Sequence, residues 1–202
     1  MLVLFLILLL GIIAFFKTDV KDKFIKPKYE EVIKSDIDYD GLDDYTDILN
    51  GAKEFISTKP KYKSKYYDGG YPTDEYRVCT DIIWYALKNA GYDFKTLIDE
   101  DIKINKEEYD EDVGDENIDF RRVRNIKVYL NRNVLKLPND SDFNPGDIVV
   151  YNNHIAIVSD KVNSKNENYI LHQHMYQPYE YDGLFKNEIL GHYRWRLNDG
   201  EK

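Results

Sequence analysis

The chain has 202 residues, 43% hydrophobic and 14% aromatic, and a formal net charge of -9. That length and composition allow one core of ordinary size plus an appendage. The acidic balance argues against a nucleic-acid partner, because phosphates need a basic surface, and the lone cysteine, Cys79, excludes an intrachain disulfide.

The first 16 residues, MLVLFLILLLGIIAFF, are all apolar or glycine. A soluble core helix alternates with polar positions, so this segment meets lipid or export machinery. A full span takes roughly 20 apolar residues and a signal-peptide core about 7–15, and the run falls between. Lys17, Thr18 and Asp19 follow it without a small-residue cleavage site, which favours an uncleaved membrane anchor. Lys17, Lys21, Lys23, Lys26 and Lys28 follow the run and no lysine precedes it. Alone, that asymmetry holds the body in the cytoplasm; basic residues upstream of the first methionine would remove it. Residues 17–35 are polar and Lys-rich and read as a tether.

Residues 36–47, DIDYDGLDDYTD, fit the start of a calcium loop. Asp36, Asp38 and Asp40 alternate, and Gly41 stands where such loops turn sharply. Leu42 falls where a backbone carbonyl serves, and Asp44 and Asp47 fall at the ninth and twelfth positions. An apolar residue is usual where Asp43 stands, and a bidentate Glu where Asp47 stands. The alternative is a solvated acidic linker that caps the next helix. That helix, from about 45 to 57, shows Ile48, Leu49, Ala52, Phe55 and Ile56 at helical spacing, with Asp43 or Asp44 as cap.

Residues 57–77 contain Pro60, Gly69, Gly70 and Pro72 and read as loop. A helix follows with Ile82, Ile83, Ala86, Leu87 and Ala90 on one face and Gly91 at its end. Further helices are expected near 94–104 and around Val123, Ile126, Tyr129 and Leu130, with acidic loop over 105–119. After Pro145-Gly146 the period shortens. DIVVY and HIAIVSD, joined by Asn152-Asn153, form a hairpin, and NYILHQHMY and ILGHYRWRL read as two more strands. Helices first and a mostly antiparallel sheet afterwards make an α+β layout.

Cys79 lies three and four residues before Ile82 and Ile83, so its sulfur faces whatever that stripe packs on. A helix N-terminus stabilises a thiolate and lowers the thiol pKa. A small buried hydrophobe is the other role for such a cysteine. The four histidines, His154, His172, His174 and His192, all lie in the strand region. A nucleophilic thiol needs a base, and that base needs an orienting partner. His154 opens a strand, and His172 and His174 point to one face of another. His192, in GHYRW, reads as structural.

The stretches YYDGGYP, VCTDIIWYALKNAGYD, LIDEDI, NIDFRRVRN, PGDIVVY, HIAIVSD and GHYRW resemble the papain-like fold of NlpC-type cell-wall peptidases and their amidase relatives. They resemble more closely the bacterial family called domain of unknown function 1287. The resemblance spans nearly the whole chain beyond the tether and implies a papain-like domain over 45–202. It implies Cys79 as nucleophile, His154 as general base and His172 as orienting residue, with no cofactor for catalysis. It also implies a tyrosine before the Gly-Gly loop, Tyr66 or Tyr67, as oxyanion donor. Where the NlpC-type family continues as His-Asn and a glycine-rich turn, this chain reads His172-Gln173-His174-Met175, which makes His174 an alternative third residue. Arg121 and Arg122 are candidates for a substrate carboxylate clamp, or for salt bridges to the acidic loop.

The resulting expectation is a membrane-tethered cysteine hydrolase of the bacterial cell envelope, its domain outside the cytoplasm, cleaving an amide bond in cell-wall peptide. Two alternatives stand beside it. One is a zinc protein using Cys79 and the histidines. The other is a non-catalytic wall- or peptide-binding module that uses the 18 tyrosines as a contact surface.

Overall fold

The computed structural model describes residues 35–197 and the backbone of the short strand Lys23–Phe24. The expected anchor over 1–16 and most of the expected tether lie outside the described residues. Among the described residues no helix is long and apolar enough to cross a membrane.

The helical part comes first. Helix α1, Asp44–Ser57, is capped by the Asp43 carboxylate, which accepts from the Thr46 N–H. Its buried face crosses α2, Asp81–Asn89, at close range. Gly51 makes that approach possible, since a Cβ there would stand 2.6 Å from the Asn89 Cβ and 2.9 Å from the Ala86 Cα. Helix α3, Phe94–Ile104, is capped by Asp93. Helix α4, Val123–Asn133, follows the 3-10 turn Asp119–Arg121. Between α1 and α2 the chain is loop, as expected, except that Lys61–Tyr62 and Tyr76–Arg77 pair as a small parallel ribbon.

The strands follow. In chain order, with Lys23–Phe24 as β1 and the ribbon as β2 and β3, they are β4 Val134–Leu137, β5 Ile148–Tyr151, β6 His154–Val162, β7 Asn168–Leu171, β8 Glu180–Tyr181 and β9 Gly191–Leu197. The sheet order is β4-β9-β5-β6-β7-β8, with every neighbouring pair antiparallel. β1 pairs antiparallel with β6, so Lys23 and Phe24, read as tether from the sequence, belong to the sheet. The molecule is α+β with a mostly antiparallel sheet.

Alternation along the strands sorts the two faces. Ile148, Val150, Ile155, Ile157 and Leu171 pack with the helices in the main core. Val149, Tyr151, Ala156, Val158 and Ile170 face the other side, under Leu184. Three expectations differ from this sheet. Strand β4 was missed because four residues, VLKL, directly continue a helix and carry no turn signal. Strand β8 was missed because it is only Glu180–Tyr181. The expected strand NYILHQHMY stops at Leu171, because Gln173 donates to the Pro60 carbonyl at 2.8 Å and draws the chain off the sheet.

Two buried acids fasten the layers. Asp147, fully buried, accepts from the Asn144 N–H, both Arg194 donors and His192 Nε2. This gives His192 the structural place expected of it. Asp81, also fully buried, accepts at 2.8 and 2.9 Å from Arg121, at 2.9 Å from Trp84 Nε1 and at 2.7 Å from the Val78 N–H. Arg121 donates further to the Lys65 carbonyl at 2.9 Å, and its own carbonyl accepts from the Thr80 hydroxyl. These bonds hold the turn that carries Cys79.

Removing one partner of a buried, hydrogen-bonded ion pair leaves an uncompensated charge, at a cost of about 3–5 kcal/mol. Arg121→Ala is therefore expected to lower unfolding stability by about that amount. Urea denaturation measures it, and a loss below about 1 kcal/mol would show that water re-satisfies Asp81.

Candidate functional site

Cys79 sits two residues before α2 and is 6% exposed. The N–H groups of Ile155, Thr80 and Cys79 itself face the sulfur and favour its anion. Burial outweighs them and, with the Asp81 charge opposing the anion, pushes the thiol up to about 11. The expectation that the helix start lowers this pKa is thus corrected: helix α2 begins at Asp81, and its first-turn acid is adjacent to the sulfur's own turn. Among the described residues no hydrogen bond joins the thiol to an imidazole; the sulfur meets Ile155, the neighbour of His154.

His154 begins β6 opposite Tyr151, across the Asn152-Asn153 turn. Its Nε2 lies 2.9 Å from His172 Nδ1, and His172 Nε2 lies 3.0 Å from the Pro178 carbonyl oxygen. A carbonyl oxygen only accepts, so His172 Nε2 carries a proton. A neutral His172 then presents a bare Nδ1, and His154 donates to it from Nε2. The same logic leaves His154 Nδ1 as the nitrogen able to take a proton. Burial keeps both rings neutral. It holds His154 down to about 3, aided by the neighbouring imidazoles, and His172 down to about 4 against the opposing pull of the Pro178 carbonyl.

His174 stacks on His172 with ring centroids 5.6 Å apart and meets His154 edge-on at the same distance. Its Nδ1 accepts from the Tyr176 N–H at 3.1 Å. The sequence placed both histidines within one strand. They lie instead in the 172–179 loop after β7, which Gln173 and Tyr179 both pin to the Pro60 carbonyl. The three imidazoles border a cleft of about 580 Å³ that Tyr62, Tyr151 and Tyr181 also line.

The tyrosines and arginines named from the sequence lie elsewhere. Tyr66 is exposed, its hydroxyl donating to Asp115. Tyr67 is buried, and its hydroxyl donates to Asp74 at 2.7 Å. Neither lines the cleft. Tyr62 does, and it lies close enough to Cys79 for a thiolate charge to raise its own pKa. It stands 17 positions before the cysteine (79 − 62), within the span of the resemblance but outside the stretches that carry it, so no motif marked it. Arg121 is no substrate clamp, because its side chain is 1% exposed and bonded to Asp81. Arg122 pairs with Asp112 and Asp119, the salt-bridging alternative. For the zinc alternative, both ring nitrogens of His172 are engaged, and among the described residues Cys79 and the histidines do not come together as a ligand group.

An α+β protein with a buried cysteine at a helix start, beside a histidine pair, is the class that fold and site define. The family model called Domain of unknown function (DUF1287) matches residues 49–195, and the chain belongs to that family. It is similar to a protein of Escherichia coli (strain K12) named Uncharacterized protein YijF, at 32% identity over 164 residues, covering 73% of this chain and 80% of that one. No solved structure matches.

A thiol held at about 11 alkylates through a minor anion fraction. Iodoacetamide labelling of the native protein is expected to be slow at neutral pH and to rise about tenfold per pH unit towards pH 10. A rate already level near pH 7 would mark an activated thiolate instead. The histidines give a second pH signature. Their folded pKa values are depressed, so the unfolded chain binds more protons between about pH 6.5 and the folded values of about 3 and 4. Stability is therefore present above about pH 6.5 and falls as the solution is acidified, read as a declining urea midpoint.

Proposed function

We propose that the protein is a cysteine hydrolase of papain-like, NlpC-type fold that cleaves an amide bond, with cell-wall peptide as its substrate. The observation that carries this is the ordered chain from His154 through His172 to the Pro178 carbonyl, beginning one residue from the backbone N–H that touches the Cys79 sulfur. A buried imidazole oriented by a second imidazole, with one bare nitrogen, is what a general base requires.

The resting pair is neutral thiol and neutral imidazole, so deprotonation accompanies attack. His154 Nδ1 takes the thiol proton as the sulfur bonds to the substrate carbonyl carbon. The carbon–nitrogen bond then breaks, and His154 returns the proton to the leaving amine. Water, deprotonated by His154, hydrolyses the thioester and restores the thiol. His172 holds the tautomer throughout and shares the imidazolium charge. The Cys79 and Thr80 N–H groups and the Tyr62 hydroxyl are the donors for the oxyanion. The apolar start of the chain anchors this domain to the cell envelope, outside the cytoplasm.

The burial and protonation of Cys79 favour a second reading, a wall-binding module that keeps the fold without the reaction. Purified peptidoglycan separates the two. The full chain is expected to release new amines detectable by mass spectrometry, and Cys79→Ala to release none. Binding without new amines would support the module. On a substrate that is cleaved, His172→Ala is expected to lower kcat about 10²–10⁴-fold with KM little changed. His174→Ala should remain within about tenfold of the parent. The reverse pattern would make His174 the orienting residue.

A further inference from the structure

Asp36, Asp38 and Asp40 each bring a carboxylate oxygen to within 4.8 Å of the others. Their loop is pre-shaped by backbone bonds: Asp36 accepts from the Asp40 and Gly41 N–H groups, and Asp40 accepts from the Leu42 N–H. An acidic loop of this kind is common without a ligand. A second observation sets this one apart. Asp47, one turn into α1, is 2% exposed, and its Oδ2 has no hydrogen-bond partner among the described residues. A buried carboxylate oxygen without a partner, in the first turn of the helix that follows this acidic loop, is costly unless a cation joins it.

We propose that this loop binds calcium through Asp36, Asp38, Asp40, the Leu42 carbonyl and Asp47, and that the ion staples the loop to the far end of the Cys79 helix. The spacing suits calcium, which accepts six to eight oxygens in flexible geometry, with Asp47 at the twelfth position where a carboxylate closes the shell. Asp44, expected as the ninth-position ligand, is held in other contacts. Its two oxygens accept from the Ile37 N–H at 3.0 Å and the Tyr92 hydroxyl at 2.6 Å.

Those same bonds show what the ion would hold. Tyr92 follows α2, and Gly91 packs so tightly on the loop that a Cβ there would lie 2.9 Å from the Asp38 Cβ. The Asn89 side chain donates to the Asp47 carbonyl at 2.9 Å. The loop, the first turn of α1 and the end of α2 therefore meet at one place. Ordering the loop with a cation orders the helix that positions Cys79. This inference stands apart from the proposed hydrolysis and is tested without any substrate.

The full chain, solubilised in detergent and stripped with chelator, is titrated with calcium chloride by calorimetry and followed by thermal unfolding. A single loop of this kind binds at about 0.1–1 mM, as extracellular modules do. At about ten times that dissociation constant, Tm is expected to rise by about 3–6 °C. Asp38→Asn with Asp40→Asn keeps the turn acceptors, removes two charges and should abolish both heat and shift. Asp47→Asn should also abolish the response while raising Tm in chelator, because it removes the buried charge. No heat and no Tm shift at about 10 mM calcium, or variants that respond like the parent, would overturn the proposal.

Discussion

The Asp81–Arg121 pair is the interaction on which the candidate site depends. It joins three segments distant in sequence: the turn before α2, the loop at Lys65 and the 3-10 turn before α4. A buried pair of this kind is not a large source of net stability, since desolvation consumes much of the Coulomb gain. Its effect is geometric. Of the five hydrogen bonds these two side chains make among the described residues, four meet at Asp81, two positions after Cys79, and the fifth ties Arg121 to the Lys65 carbonyl, so the turn that carries the sulfur is fixed. The same aspartate sets the electrostatics, because its charge opposes a thiolate beside it.

Geometry and electrostatics therefore pull in different directions at this site. Backbone N–H groups around the sulfur and the oriented imidazole chain are arrangements that favour charge separation. Burial of Cys79, His154 and His172 opposes it, and burial wins in the resting protein. In the proposed hydrolysis, a site with neutral thiol and neutral imidazole would move its proton only when a substrate carbonyl arrives to accept the electron pair.

The sheet and the helices reach the site from opposite ends of the chain. Helix α2 supplies the cysteine, and β6 with the loop after β7 supplies the histidines. The Pro60 carbonyl links them, since it accepts from both Gln173 and Tyr179 while standing two residues before Tyr62. The departure His172-Gln173-His174 from the His-Asn pattern thus has a structural use: Gln173 is the residue that docks the histidine loop onto the helical half.

Local pattern in the sequence was enough to place the helices, the β5–β6 hairpin and the α+β class, because periodicity and turn residues are local properties. Asp43, one of two cap candidates, announced its helix, and Asn152-Asn153 announced its hairpin. The resemblance singled out Cys79, His154 and His172 together, which composition alone did not do. Tertiary structure decided the rest. Arg121 looked like a surface residue until Asp81, 40 positions away, buried it. Tyr62 carried no motif, and only the fold brings it to the cleft. Asp44 and Asp47 were indistinguishable as carboxylates in the acidic run; Tyr92 engages the first, and packing leaves the second bare. The thiol pKa followed the same rule. A helix start is legible in sequence, but the desolvation that outweighs it is set by everything packed around the sulfur.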